Sequence, residues 1–290
     1  MSLPLAAWPG FASADPAIGS LRLGAVHLTV ADLGRSLAYW TGVVGLQARP
    51  QGDGIAALHA GGPDLVVLVE QPGALPARGH AGLYHVALLV PSRRDLAHWF
   101  ARAMATMTLF EGLADHGVSE AVYLRDPDHH GIEIYADRPP AAWSEDGMVT
   151  LQLDTASLLA EPPATPPPRT LPEGTTIGHV HLHVGDLTAA DRFYGGALGL
   201  DRTMAVPGNA HFYAAGLYHH HLAGNLWAGS DVTQPPPGTA ALRRVTVILP
   251  DVAQRDRVAA RAADLGFEPV ATPDGILLPD PSGNPLLLAV

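Results

Sequence analysis

Residues Gly178–Leu200 read "GHVHLHVGDLTAADRFYGGALGL", and the fold follows from deciding what this stretch is. Its first half alternates apolar residues with histidines, the two-residue period of a strand, and its second half is an amphipathic run closing on small residues. Three other stretches have the same form: "GAVHLTVADLGRSLAYWTGVVGL" from Gly24, "GLYHVALLVPSRRDLAHWFARAM" from Gly82 and "LRRVTVILPDVAQRDRVAARAADLGF" from Leu242. Each is followed by short β-rich segments broken by Gly, Pro or Asp, such as "AVYLRDPDHHGIEIYAD" and "GILLPDPSGNPLLLAV". The unit is a βαβββ module of roughly fifty to sixty residues, repeated four times.

Between the second and third copies lies "DRPPAAWSEDGMVTLQLDTASLLAEPPATPPPRTLPEG", whose proline clusters interrupt regular structure and mark a boundary. The expected organisation is an N-terminal arm at 1–20, a first domain at 21–137 (modules one and two), a Pro-rich linker at 138–175 and a second domain at 176–290 (modules three and four). Composition narrows the function classes. Seventeen Lys+Arg against 28 Asp+Glu give a formal charge of -11, which repels nucleic acid and anionic membrane surfaces. No cysteine is present, so thiolate metal sites, disulfides and Cys nucleophiles are excluded, and a cytoplasmic location is the simpler reading. The first twenty residues lack a basic n-region and are broken by Pro and Gly, unlike a signal peptide or a membrane span. Fifteen histidines nearly equal the basic residues in number, and imidazole is the commonest metal ligand.

Four βαβββ units in two pairs resemble the vicinal oxygen chelate superfamily, which includes glyoxalase I, the bleomycin resistance proteins and the extradiol ring-cleaving dioxygenases. The resemblance covers nearly the whole chain after residue 20. It implies an α+β fold in which the modules, in two pairs, form cup-shaped mixed β-sheets with helices outside. It also implies a divalent metal held by residues of the first and last strands of the contributing modules. The first-strand ligand matches His179, seven residues before Asp186; the same frame places His85 in module two, Ala25 in module one and Arg244 in module four. On the last strand, Glu133 stands where the family carries a carboxylate, and module four has Leu287 there. The trio His85, Glu133 and His179 is the two-His-one-carboxylate set that leaves open positions on Fe(II), with Mn(II) or another divalent metal as substitutes. A complete site then needs modules two and three to face each other, although they belong to different halves of the chain.

The stretch His116 to Glu133, "HGVSEAVYLRDPDHHGIE", is similar to the extradiol pattern of a His, an apolar–Tyr pair and an acidic–Pro turn before the ligand Glu. His129 departs from it, since Gly or Pro is usual there, and Ala114 departs as well. "YHHHLAG", Tyr218 to Gly224, resembles the element that supplies an acid-base His, and register selects His220. In a regular strand His219 and His221 would point the other way, so that His221 becomes a fourth metal ligand if that face is the inner one. The resemblance implies His220, Tyr123 and His116 as catalytic residues acting on a small aromatic diol and O2, to give a ring-opened semialdehyde. Trp227, Tyr218, Trp143 and Phe212 are candidates for the cup lining. The remaining histidines, His27, His59, His80, His98, His129, His130 and His211, read as solvated or structural. Two other functions stay open: a glyoxalase-type metal-dependent isomerase or lyase, and a metal-free small-molecule-binding protein. A homo-oligomer is compatible with all three.

Overall fold

The computed structural model describes residues 20–143, 147–164 and 166–290, so the proposed arm lies outside the described residues except for Ser20. Module one comprises β1 (Arg22–Val30), α1 (Leu33–Tyr39), β2 (Gln47–Gly52), β3 (Ile55–His59) and β4 (Asp64–Glu70), followed by the short β5 (Leu75–Pro76). Module two comprises β6 (Gly82–Leu89), α2 (Arg93–Ala105), β7 (Gly112–Asp115), β8 (Ser119–Arg125) and β9 (Gly131–Asp137). The linker contributes β10 (Leu151–Gln152) and α3 (Thr155–Leu159). Module three has β11 (Thr176–His183), α4 (Leu187–Ala190), β12 (Asp201–Val206), β13 (Ala210–Ala214) and β14 (Leu222–Asn225), and β15 (Thr239–Ala240) follows. Module four has β16 (Leu242–Ile248), α5 (Val252–Asp264), β17 (Val270–Thr272), β18 (Gly275–Pro279) and β19 (Pro285–Ala289).

All four openings start their helix in the same way. Asp32 accepts from the Arg35 N–H at 2.8 Å, Ser92 from Asp95 at 3.2 Å, Asp186 from Ala189 at 3.0 Å and Asp251 from Gln254 at 2.7 Å. A short polar side chain just after the strand thus stops extension and satisfies an orphan amide, worth about 1 kcal/mol. α1 and α4 then widen into π-type turns, Trp40–Val44 and Asp191–Ala197, which close the two related openings of modules one and three.

The sheets do not follow the halves of the chain. One runs β17-β18-β19-β16-β1-β4-β3-β2 and joins modules one and four; the other runs β10-β7-β8-β9-β6-β11-β14-β13-β12 and joins modules two and three. The joints are antiparallel pairs of first strands, β1 with β16 and β6 with β11. Along β6, β8, β9 and β11 the side chains alternate. Val86, Leu88, Val122, Leu124, Ile132, Ile134, Val180 and Leu182 enter the main apolar core with the buried faces of α2 and α5. Their neighbours His85, Glu133, His179 and His181 take the other face, the concave one.

Each half ties the two sheets together. Asp126, at the acidic–Pro turn before β9, takes the Trp40 indole N–H at 3.2 Å with Oδ2 and the amides of Asp128 and His130 with Oδ1. Asp280 does the same before β19, with the Tyr194 hydroxyl at 2.7 Å and the amides of Ser282 and Asn284. His129 holds a left-handed φ of 68° in the first of these turns, where Gly283 has 89° in the second. The turn shape is therefore kept, at the ordinary cost of about 1 kcal/mol for a non-glycine residue in that conformation. His130 is buried and bonds the Thr29 carbonyl at 2.9 Å, so it is a structural side chain.

Candidate metal centre

Three strands build the centre. Parallel pairing of β6 with β9 sets Glu133 beside Ala87, and antiparallel pairing of β6 with β11 sets His179 beside Ala87 on the other side. The small Ala87 leaves a space in the middle of this row, and His85, one pleat away, closes it. Two irregularities shape the surroundings. Between the pairs His181↔His85 and Leu182↔Leu83, β6 has one extra residue, Tyr84, and the bulge turns its ring towards His181, His183 and Trp227. Gly131 must be glycine because a Cβ there would lie 1.9 Å from the Tyr84 carbonyl oxygen, so β9 reaches the bulge only without a side chain.

The distances are short. His85 Nε2 lies 3.3 Å from His179 Nε2, and the two nitrogens are 3.1 and 3.0 Å from the same Glu133 Oε2. All three side chains are buried, and this is the one group of metal-ligating type found among the described residues. Burial holds the His85 and His179 imidazoles well below their usual pKa, aided at His85 by the neighbouring His179, so both rings are neutral. Burial pushes the Glu133 carboxyl up to about 7 in this metal-free arrangement. Converging lone pairs of two imidazoles and a carboxylate repel one another unless a proton or a cation sits between them. The Nδ1 of His179 has no protein partner. This donor set fits a divalent cation.

The other expected residues surround the trio. Tyr123 pairs directly with Glu133 across β8 and β9, and its hydroxyl is 2.7 Å from His116 Nε2. His116 Nδ1 donates to the Val149 carbonyl at 2.8 Å, so the linker fixes this ring with Nε2 as the acceptor for the Tyr123 hydroxyl. Burial raises the Tyr123 pKa well above 10, with the Glu133 charge adding to it, which keeps the hydroxyl protonated. The His220 ring packs tilted against His179 with centroids 4.1 Å apart, and burial, with the neighbouring His179 and His219 imidazoles opposing a second positive charge, lowers its pKa well below the usual value.

One expectation about this last element is corrected. Strand alternation does not apply to the triple His, because Gly216 adopts a left-handed φ of 65° and β14 begins only at Leu222. His219 and His220 are consequently both buried beside His179. His221 stands apart from the trio: its Nδ1 accepts the Ala215 amide at 3.2 Å and its ring lies against Tyr218. The aromatic candidates divide accordingly. Phe212 touches His181 and His220, Trp227 touches His181, and Trp143 and Tyr218 touch His219. His181, directly opposite His85, was an unassigned member of the "HVHLH" strand; it is 3 % exposed and its Nε2 has no partner. A cleft of about 200 Å³ opens beside the trio, lined by Tyr84, His85, Glu111, Tyr123 and Arg125 among others. In the sheet of modules one and four the positions of His85 and Glu133 are taken by Arg244 and Leu287, and no comparable trio forms among the described residues.

The profile of the Glyoxalase/Bleomycin resistance protein/Dioxygenase superfamily matches residues 22–134 and 176–285. A Bacillus subtilis (strain 168) protein named catechol-2,3-dioxygenase is 40% identical over 269 residues, covering 90% of this chain and 94% of the relative. Among solved structures, glyoxalase I from Zea mays superposes with a TM-score of 0.59 at 19% identity, covering 93% of this chain and 92% of its own. The cppA protein from Streptococcus pneumoniae TIGR4 gives 0.54 at 13% identity, covering 92% and 97%. At these identities the structural likenesses speak for the fold alone.

Proposed function

The chain belongs to the Glyoxalase/Bleomycin resistance protein/Dioxygenase superfamily, and from that premise we propose that it is an extradiol dioxygenase cleaving a catechol-like diol with O2 to a ring-opened semialdehyde. The observation that carries this reading is the convergence of His85, Glu133 and His179 within 3.0–3.3 Å of one another. A divalent cation held by these three side chains would keep room for substrate and O2. The 40% identical relative bears the same activity in its name.

Fe(II), or Mn(II) in its place, would be held by His85, Glu133 and His179, and would supply a template and Lewis acid for diol and O2. The rest is the work of side chains. His220, kept neutral by burial, takes a proton from a substrate hydroxyl and later returns one. Tyr123 turns the hydroxyl proton that His116 Nε2 holds in the resting site towards a substrate oxygen and stabilises charge developing there, with His116 positioning the phenol. Phe212, Trp227 and Tyr84 wall the cup with apolar surface that limits water around the reacting atoms. Separation of His221 from the trio supports the three-ligand oxygenase over an isomerase with four ligands. An enzyme of this kind needs no membrane or nucleic-acid partner, and no helix among the described residues is long and apolar enough to cross a membrane.

The test is anaerobic reconstitution with Fe(II), then oxygen uptake and formation of a yellow product with catechol, for the native protein and His85→Ala. Uptake lost in the variant is expected. Metal binding with no uptake across a panel of catechols would refute the dioxygenase reading in favour of an isomerase.

A further inference from the structure

A line of hydrogen bonds leads from His220 to a carboxylate that the mechanism above leaves unused. Asp137, the last residue of β9, contacts His219 Nε2 through Oδ1 at 2.9 Å and receives the Tyr218 hydroxyl through Oδ2 at 3.0 Å. Tyr218 also bonds the hydroxyl of the fully buried Tyr135 at 2.7 Å. On the other side His219 Nδ1 faces His220 Nδ1 at 2.9 Å. The end of the line sets its polarity. An ionised carboxylate only accepts, so the proton of that contact sits on His219 Nε2. Where each imidazole carries a single N–H, His219 Nδ1 is the acceptor and His220 Nδ1 the donor to it. The lone pair of His220 is thereby left on Nε2.

We propose that Asp137 and His219 are positioning residues that hold His220 in the tautomer whose Nε2 accepts a proton, with Tyr218 and Tyr135 anchoring the carboxylate. The proposal rests on the acid-base role given to His220. Among the described residues no other group is placed to do this. Phe212 meets the His220 ring only by its edge, and the Trp143 indole N–H beside His219 is committed to the Arg138 carbonyl at 2.9 Å. When Nε2 takes the substrate proton, the substrate O–H bond breaks, an N–H bond forms and the electron pair stays on the substrate oxygen. His220 then carries the charge, and its Nδ1–H bond to His219, backed by Asp137, strengthens as a charge-assisted one.

Asp137→Asn reverses the line. Its oxygen stays with the Tyr218 hydroxyl, so its amide N–H faces His219 Nε2, moves the His219 proton to Nδ1, and leaves His220 protonated on Nε2. His219→Asn is the counterpart, because its oxygen takes the place of His219 Nδ1 and still accepts from His220 without any tie to Asp137. Tautomers are read by two-bond proton–nitrogen NMR of histidine-labelled protein loaded with Zn(II), the His220 signals being assigned with His220→Gln. The native protein and His219→Asn are expected to carry the His220 proton on Nδ1, and Asp137→Asn on Nε2. With Fe(II) and catechol, kcat of Asp137→Asn should fall on the order of 100-fold at little changed KM, the size of a lost acid-base contribution, and His219→Asn should lose far less. A His220 proton on Nε2 in the native protein, or an unchanged tautomer in Asp137→Asn, overturns the proposal even if catechol cleavage is found. The expected tautomers without oxygen uptake from any catechol would sustain the hydrogen-bonded line and sink the functional reading instead.

Discussion

Replacing Glu133 by Gln should make the metal-free protein more stable at alkaline pH, although it removes a ligand. In the metal-free protein, burial raises the Glu133 carboxyl from 4.5 to about 7. The folded chain therefore binds this proton more tightly than the unfolded chain. Its contribution to stability is complete below about 4.5, declines as pH rises, and is gone above about 7. That interval corresponds to about 3 kcal/mol at most. Glutamine has the same shape and no charge to bury, so the variant escapes the loss. The buried imidazoles have the opposite sign, losing stability as pH falls, but they are common to both proteins and largely cancel in the difference. Urea denaturation in EDTA should show the two proteins close to equal at pH 5 and the variant ahead at pH 8 by up to about 3 kcal/mol. A gap of the same size at both pH values, or a variant weaker at pH 8, would refute the reasoning. Metal binding should be lost in the variant at either pH.

Three further outcomes are expected. Gly178→Ala places a Cβ 1.7 Å from the Tyr135 hydroxyl, so Tyr135 must move and its bond to Tyr218 breaks; denaturation should show a loss of about 2–4 kcal/mol, partly recovered by adding Tyr135→Phe. Trp40→Phe removes the buried indole bond to Asp126 and should cost about 1–3 kcal/mol in the same assay, while Asp126 keeps its two amide donors. Tyr123→Phe removes the partner of His116 Nε2 and should lower kcat by about 10- to 100-fold with Fe(II) content by metal analysis unchanged.

Much of this arrangement could be read from residue order alone. The four openings repeat a strand, a polar stop and a helix, and each of these is a local property of the chain. The trio could be found because a repeat compares like positions with like: His85, His179 and Glu133 stand out against Arg244, Ala25 and Leu287. The parts that stayed hidden depend on departures from periodicity. The bulge at Tyr84 is one unpaired residue in a joint between distant strands, and nothing local marks it. The face taken by His219 follows from a glycine turn that ends strand alternation just before it. Asp137 and Tyr135 look like the tail of an ordinary strand until Tyr218 arrives from residues more than eighty positions away.

The pairing of first strands also orders events during synthesis. His85 must meet His179 across 94 positions, whereas β1 must wait for β16 near the end of the chain. The two closures are nested, one inside the other like brackets. As the nascent chain leaves the ribosome, module one emerges first but completes its sheet last, its edge along β1 unpaired while the inner sheet assembles. The metal-binding half can close once β14 is out, and the outer half then wraps around an interior already formed. Such long-range pairing makes for slow folding, and the open β1 edge is the surface through which an unfinished chain would associate with another.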